Sequence, residues 1–236
     1  MNRWRTLLIL AVLLVAGSLT AFLWTRDRQP QYEGRNLLHW LELYELGAGN
    51  REATEQAARA VRQIGTNAVP WLVKWMKYER PYWRAEVVQM LGNKWYQRAR
   101  QHARLADRGF AILGPTANCA LPELDRMTHN TAQPATALAA LAVVRRFADG
   151  APVLAGVITD RTARLDFRLQ ALAALENGVV EGQIPRTNEY TRLAVRETAT
   201  WLTDPNPTIR ECATNALERI APEVLTNATS AQETRK

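Results

Sequence analysis

The chain has 236 residues, 47% of them apolar, which is enough to build one domain with a real core. Its two cysteines, Cys119 and Cys212, lie too far apart for a disulfide framework or a zinc-type spacing, and both read as small core side chains with a weak option to bridge. The formal charge of +7 is local: residues 1–28 carry +3, and residues 74–108 carry +6 from nine Lys/Arg against Glu79, Glu86 and Asp107, which excludes a uniformly basic surface.

In chain order, the first element is apolar. Thr6 to Thr25 is 20 residues without a charge, and as a helix that length spans about 30 Å, one bilayer core. Arg3 and Arg5 precede it; Arg26, Asp27 and Arg28 end it. Small residues at Ala16-Gly17-Ser18 would suit cleavage of a signal peptide, but the apolar run continues through Leu19, Phe22, Leu23 and Trp24. An uncleaved anchor over residues 1–28 is the reading adopted, with secretion after cleavage as the alternative. The slight excess of positive charge before the span places the N-terminus in the cytoplasm. The bulk of the chain is then expected in the periplasm of a bacterium, tethered to the inner membrane by a single pass.

Residues 29–53 follow as a capping segment. "YEGRNLLHWLELYELG" (Tyr32–Gly47) reads as one helix with Leu37, Trp40, Leu41 and Tyr44 on a common stripe. His39 beside Trp40 reads as a structural or solvated residue. Glu42 and Glu45 read as scattered surface carboxylates.

From residue 54 a pattern repeats. Small residues at Ala57 and Ala60 precede large ones at Val61 and Ile64, and Gly65 follows. The same spacing recurs at Ala106, Gly109, Phe110, Leu113 and Gly114; at Ala137, Ala140, Leu141 and Val144; at Ala171, Ala174, Leu175 and Gly178; and at Ala213, Ala216, Leu217 and Ile220. Offsets of 0, +3, +4 and +7 fall on one helical stripe, and the small residues let a neighbouring helix approach. Pro70, Pro122, Pro152 and Pro222 open second helices, since proline lacks only an N–H that the first turn leaves unpaired anyway. Helix, turn and proline-started helix make a hairpin, and hairpins of this size stack on their neighbours.

These units resemble HEAT repeats. "GFAILGPTANCALPEL" (Gly109–Leu124) and "DPNPTIRECATNALERIAPE" (Asp204–Glu223) are similar to units of uncharacterised bacterial membrane-anchored HEAT-repeat proteins, over roughly residues 54–225. The resemblance implies an all-α, right-handed α-solenoid of about five helical-hairpin repeats and a binding role. It also implies a stabilising ladder of Asp and Arg near helix starts, here Asp166 with Arg168 and Asp204 with Arg210. An extra helix around 83–92, "WRAEVVQMLG", departs from the pattern. The tail 226–236 is polar and expected to be disordered.

Chemistry is sparse. The three histidines, His39, His102 and His129, make no metal-ligand pair on one helix face, and there is no His-Glu pair of the kind that binds iron in HEAT-type hydroxylases. No nucleophile elbow, phosphate loop or zinc-type cluster occurs. No cofactor is expected. The unusual feature is aromatic and basic. Trp71, Trp75 and Tyr78 fall at i, i+4 and i+7, with Lys74, Lys77, Trp83 and Arg84 beside them. Three readings stay open. The rings fill a wide groove left by the inserted helix. They anchor a protein partner, as Trp, Tyr and Arg do at interfaces. Or residues 71–108 take nucleic acid, bases on rings and phosphates on cations, which the outward topology disfavours. Lipid head groups near the anchor are a related option. The reading adopted is a non-catalytic protein–protein interaction scaffold, membrane-tethered through residues 6–25, with an unidentified protein as partner. A lyase- or glycosylase-like enzyme of HEAT type rests on fold analogy alone.

Overall fold

The computed structural model describes residues 29–77, 94–130 and 132–226. The apolar segment 6–25, Tyr78, Trp83 and Arg84, the extra helix expected around 83–92 and the tail beyond Thr226 lie outside the described residues. Among the described residues, no helix is long and apolar enough to cross a membrane.

The capping segment is shorter as a helix than its sequence suggests. Residues 31–36 form a two-stranded antiparallel hairpin, β1 (Gln31–Tyr32) with β2 (Arg35–Asn36), in which Gln31 faces Asn36 and Tyr32 faces Arg35. Glu33 and Gly34 turn it with φ of 48° and 72°. Two positive φ angles make the tight turn whose twist suits a hairpin, and Gly34 adopts one without strain. The Asn36 carboxamide then accepts from the His39 N–H at 2.9 Å and starts α1 (Leu37–Leu46). Trp40 Nε1–H donates to the Tyr32 carbonyl at 3.2 Å, which ties the hairpin to the helix. Leu37, Trp40 and Leu41 are buried.

The repeats begin at Arg51, three residues earlier than expected, because Asn50 supplies the cap: its side chain accepts from Glu52 and Ala53 N–H. Helices α2 (Arg51–Ile64) and α3 (Val69–Met76) form the first pair, α4 (Lys94–Leu113) and α5 (Leu121–Thr128) the second, α6 (Pro134–Val144) and α7 (Ala151–Thr159) the third. Helices α8 (Leu165–Val180) and α9 (Glu189–Thr200) form the fourth; α10 (Pro207–Ile220) is followed by a helical turn over residues 222–226. Pro70, Pro122 and Pro152 each sit in the first turn of a second helix.

Every position of the repeated stripe is buried, in all five first helices. The packing explains this. Helix α2 touches α4, α4 touches α6, α6 touches α8 and α8 touches α10, while α3, α5, α7 and α9 each lie against the next first helix. Each unit thus removes its neighbour's apolar stripe from water, at about 1.5–3 kcal/mol for each large side chain fully buried. On α10, Glu211, Cys212, Asn215 and Glu218 are exposed.

The glycines do two different jobs. Gly65 (φ 61°) and Gly114 (φ 54°) end α2 and α4 in a conformation that favours glycine. Gly178, one register position earlier, does not end α8. A Cβ there would lie 2.8 Å from the Arg145 carbonyl oxygen, so glycine is kept for the close approach of α8 to the end of α6.

Two sequence expectations fail here. Cys119 and Cys212 are free and exposed, not core. Cys212 precedes the buried Ala213 by one residue, about 100° around the helix, and Cys119 turns outward from the 3-10 turn Gly114–Ala120 between buried Ala117 and Ala120. The Asp–Arg ladder is also different. Asp166 is held by Arg164, through two bonds of 3.1 and 2.8 Å, whereas Arg168 reaches Glu197. Arg210 donates to the backbone carbonyls of Asp204 and Pro205 rather than to the Asp204 carboxylate. A ladder does exist elsewhere. Arg146 grips Asp107 with two bonds of 3.0 and 2.9 Å, linking the end of α6 to α4. Arg145 bonds Glu181 at 2.5 Å, and Arg219 bonds Glu176. These pairs tie α4 to α6, α6 to α8 and α8 to α10.

Candidate functional site

The candidate residues centre on α3. Val69-Pro70 opens it and Lys77 ends it, its N–H donating to the Val73 carbonyl at 3.2 Å. In a helix of eight residues, the tryptophans at i and i+4 were expected to share a stripe. They do not share an environment. Trp75 is 7% exposed and belongs to the core with Leu72, Val73 and Met76; its ring lies 5.3 Å from that of His102, tilted by 30°. The Trp75 ring is thus part of the core. The physical reason is the long α4, which lies along α3 and covers the Trp75 side.

Trp71 is half-buried at the rim of the same core. Lys74 is exposed and sets its ammonium 4.8 Å from the Trp71 ring centroid, a cation–π contact. Lys77 reaches the next unit, bonding Glu123 in the first turn of α5 at 2.5 Å. Arg126 holds the other oxygen of Glu123 at 2.7 Å. The Lys77 hydrogen bond, with the charges of Lys77 and Arg126, keeps the Glu123 carboxyl below the usual carboxylate range against the opposing effect of its partial burial. So Lys74 lies over the Trp71 ring, while Lys77 is turned to Glu123 of α5. Tyr78, Trp83 and Arg84 lie outside the described residues.

A further charged cluster lies where α7, α8 and α9 meet. Arg168 donates to the Ile158 carbonyl and to Glu197, both at 2.8 Å, and its guanidinium lies 4.9 Å from the Trp201 ring centroid. Arg161 approaches the other oxygen of Glu197 at 3.8 Å. The Arg168–Glu197 pair joins α8 to α9. The Asn118 amide donates to Asp149 at 2.7 Å and links two turns in the same way. Among the described residues, no three His, Cys, Asp or Glu side chains gather closely enough to hold a metal ion.

Sequence reasoning missed these contacts for a definite reason. Asp107, Arg146, Glu181 and Arg219 do not occupy a common place in the repeat, so no periodicity marks them. No family model matches the chain, and no curated protein matches it either. The HEAT-like reading therefore stands on the residues of this chain alone.

Proposed function

We propose that the chain is a non-catalytic protein–protein interaction scaffold: a HEAT-like, right-handed α-solenoid tethered to a membrane by residues 6–25, with its repeats on the outer side. The observation that carries this reading is the stacking of each first helix on the next. Five buried stripes are spent on holding units together, and the outer faces of the second helices are left with different side chains in each unit. Such an array offers an extended surface and asks nothing of its surface residues for folding. Trp71, Lys74 and Lys77 remain as the partner-binding candidates, with Glu123 fixing Lys77; Trp75 supports them from beneath.

The test combines topology with contact. A reporter fused after Lys236 should be active on the outer side of the membrane, and the full-length chain should sediment with membranes. A photo-crosslinking residue at Trp71 or Lys74 should then capture one protein species in membranes, and the same residue at Glu211 on α10 should not. A chain recovered whole from the soluble fraction would end the tether. Crosslinks equally distributed over all these positions would end the scaffold reading.

A further inference from the structure

We infer that the groove between α4 and α6 is a second docking surface, and that it takes an amphipathic helix of a partner protein bearing carboxylates one turn apart. The inference rests on the scaffold reading but concerns a different face from Trp71 and Lys74. The groove has a volume of about 340 Å³. Its floor is apolar and made of small side chains, Ala103 from α4 and Ala139, Ala142 and Val143 from α6, with Met76 at one end. Small side chains on a floor admit another helix backbone closely. A helix laid there would meet alternate turns of both walls, in the manner of an apolar helix face in a groove.

Charge sets the chemistry of the occupant. Arg104 and Arg108 stand on the α4 wall, both exposed and one turn apart. Among the described residues neither has an ion-pair partner. The carboxylate between them in sequence, Asp107, is already taken by the two-bond grip of Arg146. Like charges at i and i+4 disfavour their own helix slightly, so this pair carries an unbalanced charge toward the groove. Guanidinium groups suit carboxylates because each can give two parallel N–H bonds. Two carboxylates line the same groove: Asp107, neutralised by Arg146, and Glu45 from α1, which opposes a purely acidic occupant. The fitting partner is therefore a helix with two acidic residues toward Arg104 and Arg108 and a basic residue toward Glu45.

The experiment uses the full chain in detergent or nanodiscs and a labelled peptide of roughly 18 residues, long enough for an alanine-rich helix to persist in water. The peptide carries Glu at two positions one turn apart and Lys toward one end. Fluorescence anisotropy should show saturable binding that weakens with salt. The double variant Arg104→Glu with Arg108→Glu should weaken it by roughly tenfold or more, as lost charge-assisted contacts do, and should bind the charge-swapped peptide instead. Ala142→Trp, at an exposed position, should fill the groove and block the peptide without lowering the melting temperature. Absence of binding, equal binding of a proline-broken peptide of the same charge, or displacement by a single-stranded oligonucleotide would each overturn the inference. None of these outcomes touches the crosslinks at Trp71 and Lys74, which test the scaffold reading separately.

Discussion

The five first helices and the second helices are built to different rules. The first helices carry one pattern five times, and every repeated position is buried. Of the second helices, α3, α5 and α7 share little beyond an opening proline, and α9 lacks even that. Their exposed or half-exposed residues include Trp71 and Lys74 on α3, Glu123 and Arg126 on α5, Val153 and Gly156 on α7, and Leu193 and Arg196 on α9. A surface that must be covered by a copy of itself is constrained to repeat. A surface free of that duty can differ in every unit. Recognition is therefore sought where the repeat breaks down, and folding energy where it holds.

The largest expected effect cuts across that division within one helix. Trp75 and Trp71 are four residues apart on α3, yet one is core and the other is rim. Trp75→Ala should cost about 3–5 kcal/mol, as truncation of a buried tryptophan does. Trp71→Ala should cost about 1 kcal/mol, the scale of its cation–π contact and partial burial. Denaturant unfolding of both variants measures the difference. Equal losses would mean that α3 has no partner-facing side at all.

A smaller effect tests the repeated stripe. Ala140 is fully buried on α6, while Ala142, two residues on, is exposed. Ala140→Leu should destabilise by about 1–3 kcal/mol through overpacking. Ala142→Leu should stay within about 0.5 kcal/mol of zero. The same contrast is expected between Ala216 and Asn215 on α10, the first buried and the second exposed. A neutral Ala140→Leu would place the stripe away from the helix contacts and undo the register.

What the sequence made legible follows the same line. Hydrophobic period, small residues and proline are local signals, and they locate the buried stripe of every first helix. The turn at Glu33-Gly34 was equally local but was absorbed into a helical stripe that begins only at Leu37. The burial of Trp75 could not be read, because it depends on α4 lying along α3, and a spacing of four residues says only that two rings share a side. The pairs Arg146–Asp107 and Arg168–Glu197 were invisible too, since each joins residues from different units at unmatched positions. Side chains that face solvent in a single helix look alike in sequence, whether a neighbour later claims them or not.

The smallest effect concerns the bridge between the first two units. Glu123 is held by Lys77 and Arg126, and its carboxyl is kept below the ordinary value chiefly by the Lys77 hydrogen bond. A carboxyl whose folded pKa is depressed binds fewer protons folded than unfolded. Its contribution is therefore present above the unfolded value, about 4.3, and is lost as pH falls through the folded one. Both partners are substantially exposed, with side-chain exposures of 47% for Lys77 and 31% for Glu123. Solvent screening then limits the contribution to about 0.5 kcal/mol. Lys77→Met should lower stability by no more than that at neutral pH and by nothing at about pH 2–3, with the difference shrinking in high salt. Urea midpoints of the two proteins across that range give the measurement. A loss that persists unchanged in acid would mean that Lys77 acts through its alkyl stem packed along the second helices, not through its charge, and the Trp71–Lys74–Lys77 rim would then be an apolar seam between units rather than a surface open to a partner.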